Sequence, residues 1–99
     1  MNKNNRNNNF LDELYLLIEK KAKRKTKKSY TNFLLKSGSK KIAKKIVEES
    51  GELVIDYIKG SKKRIIEETA DLIYHLVVLL YSKKITIKDL ENELKKRRK

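Results

Sequence analysis

The chain has no cysteine, no proline and no tryptophan, and only three glycines and one histidine in 99 residues. Without cysteine there is no disulfide framework, no thiolate metal site and no cysteine nucleophile. The single histidine, His75, cannot build a multi-histidine zinc centre within one chain. Gly38, Gly51 and Gly60 stand alone, so a glycine-rich phosphate loop is excluded. The lack of proline and shortage of glycine argue against turn-rich sandwiches and barrels, and helices are favoured. No apolar run approaches a membrane span. The N-terminus, with six asparagines in its first nine residues, has no apolar core of a signal segment. The expectation is a cytoplasmic protein: a disordered Asn-rich tail over 1–9, then one domain over 10–99 that ends in a basic tail.

What is abundant is positive charge, 26 Lys and Arg against 13 acids, or +13. Residues 19–45 hold twelve bases and one acid, Glu19, and residues 95–99 add five bases. The middle, 46–93, is mildly acidic, with ten acids and seven bases. A basic excess suits a polyanionic partner such as nucleic acid, a membrane surface or a phosphate-rich small molecule. Compositional drift explains it equally simply, because Lys outnumbers Arg 21 to 5. The acidic middle and the lack of basic–aromatic interleaving on one helix argue against nucleic acid.

The apolar spacing predicts helices. Phe10, Leu14, Leu17 and Ile18 mark a first helix capped by Asn9, which fades into a basic linker over Lys20–Lys28. Ser29 precedes a short apolar piece, Tyr30 to Leu35, closed by Gly38. A long helix is predicted from Ser39 to Lys59, with Gly60 as a left-handed residue after its end. Ser61 then caps a third helix that runs to Ser82. Thr86 and Asp89 suggest a capping box for a last helix. From Leu72 to Leu80 the third helix is apolar nearly all round, so it must be covered on several sides. The expected fold is therefore all-α, a bundle of four to five helices completed by oligomerisation as a homodimer or higher homo-oligomer.

Chemistry concentrates on the two long helices. Glu49 and Glu52 are three apart on one face, as are Glu68 and Asp71 on the next helix, with Glu48 beside the first pair. A tight turn near residue 60 makes the helices antiparallel, and puts Glu52 and Glu68 at one height. Four converging carboxylates call for a cation, and hard oxygen ligands select Mg2+, with Mn2+ or Ca2+ as alternatives, over zinc. Acids at helical spacing also form ordinary solvated faces. Lys41 and Lys45 continue the Glu49 row backwards. They can hold substrate phosphates, or Lys45 can simply pair with Glu49. His75 lies on the Asp71 face and either contacts substrate or bonds a neighbouring core group.

These residues resemble those of a known family. Glu49-x-x-Glu52 followed, after fifteen residues, by Glu68-x-x-Asp71 is similar to the signature of the all-α, MazG-like nucleoside-triphosphate pyrophosphohydrolases. The segments Lys41–Glu52 and Glu67–Leu80 resemble the phosphoribosyl-ATP pyrophosphohydrolases more closely. The stretch Glu68-Thr-Ala-Asp-Leu-Ile-Tyr-His75 is the most specific part, and Ser29-Tyr30-Thr31 extends the match. The resemblance implies Mg-dependent hydrolysis of phosphoribosyl-ATP to phosphoribosyl-AMP and diphosphate, the second step of histidine biosynthesis. It implies Glu49, Glu52, Glu68 and Asp71 as catalytic and metal-binding residues. Candidate substrate contacts are Lys41, Lys45, Glu48, His75, Tyr30 and Thr31. A house-cleaning enzyme for other nucleoside triphosphates, or a basic helical binder of nucleic acid, are the alternatives.

Overall fold

Five helices follow one another in the computed structural model, which describes residues 9–24 and 29–98. They are α1 (Phe10–Arg24), α2 (Tyr30–Ser37), α3 (Ser39–Lys59), α4 (Lys62–Ser82) and α5 (Ile87–Arg97), and no strand occurs among the described residues. The all-α expectation is met. Asn9 Oδ1 accepts from the Asp12 amide at 2.8 Å and opens α1. This helix continues to Arg24, past the expected start of the basic linker, and Lys21, Lys23 and Arg24 lie in its last turn, where cations suit the helix dipole. The Asn-rich segment over 1–8, the rest of that linker with Lys27 and Lys28, and the terminal Lys99 lie outside the described residues. Lys95, Lys96 and Arg97 of the basic tail form the last turn of α5.

The connections explain the sharp helix boundaries. Ser29 Oγ accepts from the Asn32 amide at 3.1 Å and caps α2. Gly38 both ends α2, donating to Leu34 O at 3.2 Å, and begins α3, accepting from the Ile42 amide at 3.2 Å. Its φ of 94° is a conformation that only glycine adopts without strain. Only Gly60 and Ser61 join α3 to α4. Gly60 is not left-handed as the sequence suggests; its φ is −98°. Space requires the glycine instead, since a Cβ here would sit 2.8 Å from both the Asp56 carbonyl oxygen and its Cα. Ser61 Oγ accepts from the Arg64 amide at 3.2 Å and starts α4. The Thr86–Asp89 capping box at α5 is complete, and its hydrogen bonds from Thr86 hold the Asp89 carboxyl below the usual range.

The core joins Ile18 of α1, Leu34 of α2, Ile42 of α3, and Val77 and Val78 of α4. Burying such side chains contributes about 1.5–3 kcal/mol each. The sequence reading assigns the Leu72–Leu80 run to a subunit interface, but Val78 is fully buried within its own chain. It belongs to one buried cluster with Ile18 of α1, Leu34 of α2 and Ile42 of α3. Apolar side chains are far more exposed elsewhere, among them Val47 (72%) and Ile58 (74%) on α3 and Ile66 (68%) on α4. No described helix is long and apolar enough to cross a membrane.

Gly60→Ala should destabilise the protein by about 1–3 kcal/mol, because the added methyl meets backbone that cannot retreat without opening the turn. A lowered urea midpoint checks this.

Candidate functional site

The site grows from the antiparallel pairing of α3 and α4 across the two-residue turn. One turn of α3 presents Glu49, and the facing turn of α4 presents Glu68 and Asp71. Carboxylate oxygens of these three residues all lie within 4.8 Å of one another. Glu49 is 9% exposed and Glu68 only 4%, whereas Asp71 is exposed. Burial of an ionised carboxylate costs several kcal/mol unless a partner compensates. Here Glu49 Oε1 and Glu68 Oε1 are both buried with no hydrogen-bond partner.

Glu52 stands outside that group of three and is exposed. It nevertheless faces Glu68. The hydrogen bond between the two side chains, and then the negative charge of Glu68, push the Glu52 carboxyl above its usual range, against the opposing pull of Lys45 and Arg64. That bond exists only while one of the two carries a proton; with both ionised, both can only accept. The four acids thus form a cluster that gains by taking up a positive charge, whether proton or cation.

Two basic side chains border the cluster. Lys45 Nζ lies 3.7 Å from Glu48 Oε1 and 3.9 Å from Glu49 Oε2. Arg64 Nη2 is 2.6 Å from Glu68 Oε2, and its Nη1 is 3.0 Å from Glu67 Oε1. Arg64 was not among the residues singled out by motif. Its signal is its offset, four residues before Glu68, the same as that of Lys45 before Glu49.

The remaining candidates lie on the α2 side. Tyr30 Oη is 2.9 Å from His75 Nε2, and His75 Nδ1 is 2.8 Å from the Asp71 carbonyl oxygen. A carbonyl only accepts, so Nδ1 carries the proton; in the neutral ring Nε2 accepts from the Tyr30 hydroxyl. The Thr31 hydroxyl is hydrogen-bonded to that of Tyr74. Tyr30 stacks on Tyr74 with centroids 6.2 Å apart and meets His75 edge-on. Burial is the main reason its phenol is pushed up from the ordinary tyrosine value. Lys41 sits over the Phe33 ring, 5.7 Å from its centroid, a cation–π contact rather than a contact with the acids.

The donors suit a hard cation. They are all oxygen, they come from two rigid helices, and two buried oxygens lack any other partner. Mg2+ is bound by one or two carboxylates, retains waters and recruits substrate phosphates.

Comparison with known proteins finds relatives of this chain. A family model described as phosphoribosyl-ATP pyrophosphohydrolase matches residues 11–98. A phosphoribosyl-ATP pyrophosphatase of Clostridium botulinum is 41% identical over 91 residues, which are 92% of this chain and 83% of that protein. A protein of the same description from Clostridium acetobutylicum is 42% identical over 90 residues, covering 91% of this chain and 82% of its own length. A histidine biosynthesis bifunctional protein of Bacteroides thetaiotaomicron is 47% identical over 88 residues, 89% of this chain but 43% of that protein.

The raised Glu52 carboxyl has a stability consequence in metal-free protein. The folded state binds this proton more tightly than the unfolded chain does, so stability falls as pH rises from 4.5, the ordinary glutamate value, through the raised one. Urea midpoints of the wild type should therefore drop across that window relative to Glu52→Gln. Parallel curves for the two proteins would contradict the Glu52–Glu68 contact.

Proposed function

The chain belongs to the phosphoribosyl-ATP pyrophosphohydrolase family, and on that premise we propose that Glu49, Glu52, Glu68 and Asp71 form the centre at which phosphoribosyl-ATP is cut into phosphoribosyl-AMP and diphosphate. The activity is that of a phosphoribosyl-ATP pyrophosphatase and serves histidine biosynthesis. One observation carries the assignment of the centre: two buried glutamates on facing helices each keep an oxygen without a partner.

Glu49, Glu68 and Asp71 would hold the ion, Mg2+ or alternatively Mn2+. Bound there, a divalent cation neutralises the polyphosphate and lowers the pKa of a water. Glu52, exposed at the rim of the cluster, is the carboxylate suited to take a proton from the attacking water. Lys45, between Glu48 and Glu49, is the basic group of the candidate set that borders the acids, and it meets phosphate oxygens there. The bond that breaks is the α–β phosphoanhydride. Thr31 and Tyr30 act from behind, holding α2 on α4 through Tyr74 and His75. Most of the rate enhancement is positioning and electrostatic stabilisation. A cytoplasmic location goes with this reading.

The same reading includes a homo-oligomer. Val47, Val54 and Ile58 form an exposed apolar stripe along α3, with Gly51 between them. The radius of gyration is 15.2 Å, against about 13 Å for a compact chain of this length. A second copy covering this stripe brings the two α3 helices together beside the acid cluster.

Diphosphate release from phosphoribosyl-ATP, compared with ATP and other triphosphates, tests the activity. Chelation should abolish it, and Mg2+ or Mn2+ should restore it. Glu49→Gln and Asp71→Asn should each lower kcat by a factor of about 100 or more, corresponding to a few kcal/mol of lost transition-state stabilisation. Full turnover after chelation would sink the metal assignment.

For assembly, Val54→Glu or Ile58→Glu should shift the protein to a monomer in light scattering, because a charge in a dry apolar contact is costly. An unchanged mass for both variants would place the interface elsewhere.

A further inference from the structure

Each buried glutamate of the cluster has a basic residue four positions earlier on its own helix, Lys45 for Glu49 and Arg64 for Glu68. In both pairs the base approaches Oε2, and Oε1 stays buried without a partner. The pairs differ in strength. Lys45 Nζ is 3.9 Å from its oxygen, beyond hydrogen-bonding distance. Arg64 Nη2 is 2.6 Å from Glu68 Oε2, a short charge-assisted bond. The guanidinium is itself fixed from both helices: Nη1 donates to Glu67 Oε1 at 3.0 Å on α4, and Asp56 Oδ2 of α3 lies 3.7 Å from Nη2.

Helix stability accounts for little of Arg64, because its i,i+3 and i,i+4 pairs with Glu67 and Glu68 are weak on a helix surface and run in the less favourable order, base before acid. The first turn of α4 has no acid and carries Lys62, Lys63 and Arg64, and cations near a helix N-terminus oppose its dipole. Nor does the core need it, since its side chain is about half exposed. What the bond does accomplish is geometric. Pinning one carboxylate oxygen fixes the direction of the other, as hydrogen bonds to ligating groups do around metal sites.

We propose that Arg64 is a positioning residue for the cation site, holding Glu68 by Oε2 so that Oε1 is presented to a divalent ion. This rests on the cation reading given above. The residue acts through Glu68 and does not touch substrate.

The test is Mn2+ binding to the substrate-free full chain, followed by calorimetry and by the electron paramagnetic resonance signal of free Mn2+. Arg64→Gln should weaken binding by about tenfold or more, within the range seen when outer hydrogen bonds to metal ligands are lost. Charge alone acts in the opposite sense, because removing a nearby positive charge tightens binding of a cation. Lys63→Gln, which removes an equal charge one residue away, should leave affinity unchanged or tighter. Arg64→Lys, with charge but no fork, should fall between wild type and Arg64→Gln. A circular dichroism melt checks folding; should Arg64→Gln unfold, Arg64→Lys decides by the same criterion. Wild-type affinity or tighter binding in a folded Arg64 variant overturns the role given to Arg64 and leaves the cation site standing. A wild type that binds no Mn2+ overturns the cation site, and this inference with it.

Discussion

Two carboxylates buried face to face, each with an oxygen that nothing donates to, set the terms for the rest of the molecule. Glu49 and Glu68 can be held together only by a scaffold that resists their repulsion. The long helices α3 and α4 provide it, joined by two residues and packed on a core whose members come from four helices. The bases at the border reduce the repulsion without removing it, and both stop at Oε2. A cation bound at these oxygens would relieve that repulsion, and folding stability and ligand affinity would then be drawn from the same source.

Helix α2 is short, yet it is firmly held. Its cap Ser29 and its exit Gly38 fix both ends. Tyr30 and Thr31, adjacent in sequence, are bonded to His75 and Tyr74, which are adjacent on α4. These polar contacts are directional, unlike the apolar contacts of Leu34 and Ile42 beneath them. They set the rotation of α2 relative to the helix that carries Glu68 and Asp71. His75 extends this link to the Asp71 carbonyl. The lone histidine of the chain therefore ties the two helices together.

Much of this was legible in the residue pattern. Helix periodicity, the caps at Asn9, Ser61 and Thr86, and the equal spacing of the acids about residue 60 are local features, and local features survive folding. What failed was non-local. Val78 looked like interface because the run around it is apolar on every side; which neighbours cover it depends on how α1 and α2 fold back. Gly60 looked like a conformational requirement, but its constraint is the closeness of Asp56, invisible without coordinates. Among the acids, the sequence could place Glu52 beside Glu68 in height but could not tell which three would converge. Arg64 escaped notice because a base in a basic chain carries little information until its distance to Glu68 is known.

The Gly60–Ser61 turn acts as a ruler. Because no slack residue separates α3 from α4, an insertion of one amino acid would advance α4 by about 100° about its axis, given 3.6 residues per turn. Glu68 and Asp71 would swing away from Glu49 while every helix remained intact. Surface connections in most proteins are where length varies freely. Here a connection of two residues is one whose length carries meaning, because the facing of the acids depends on it.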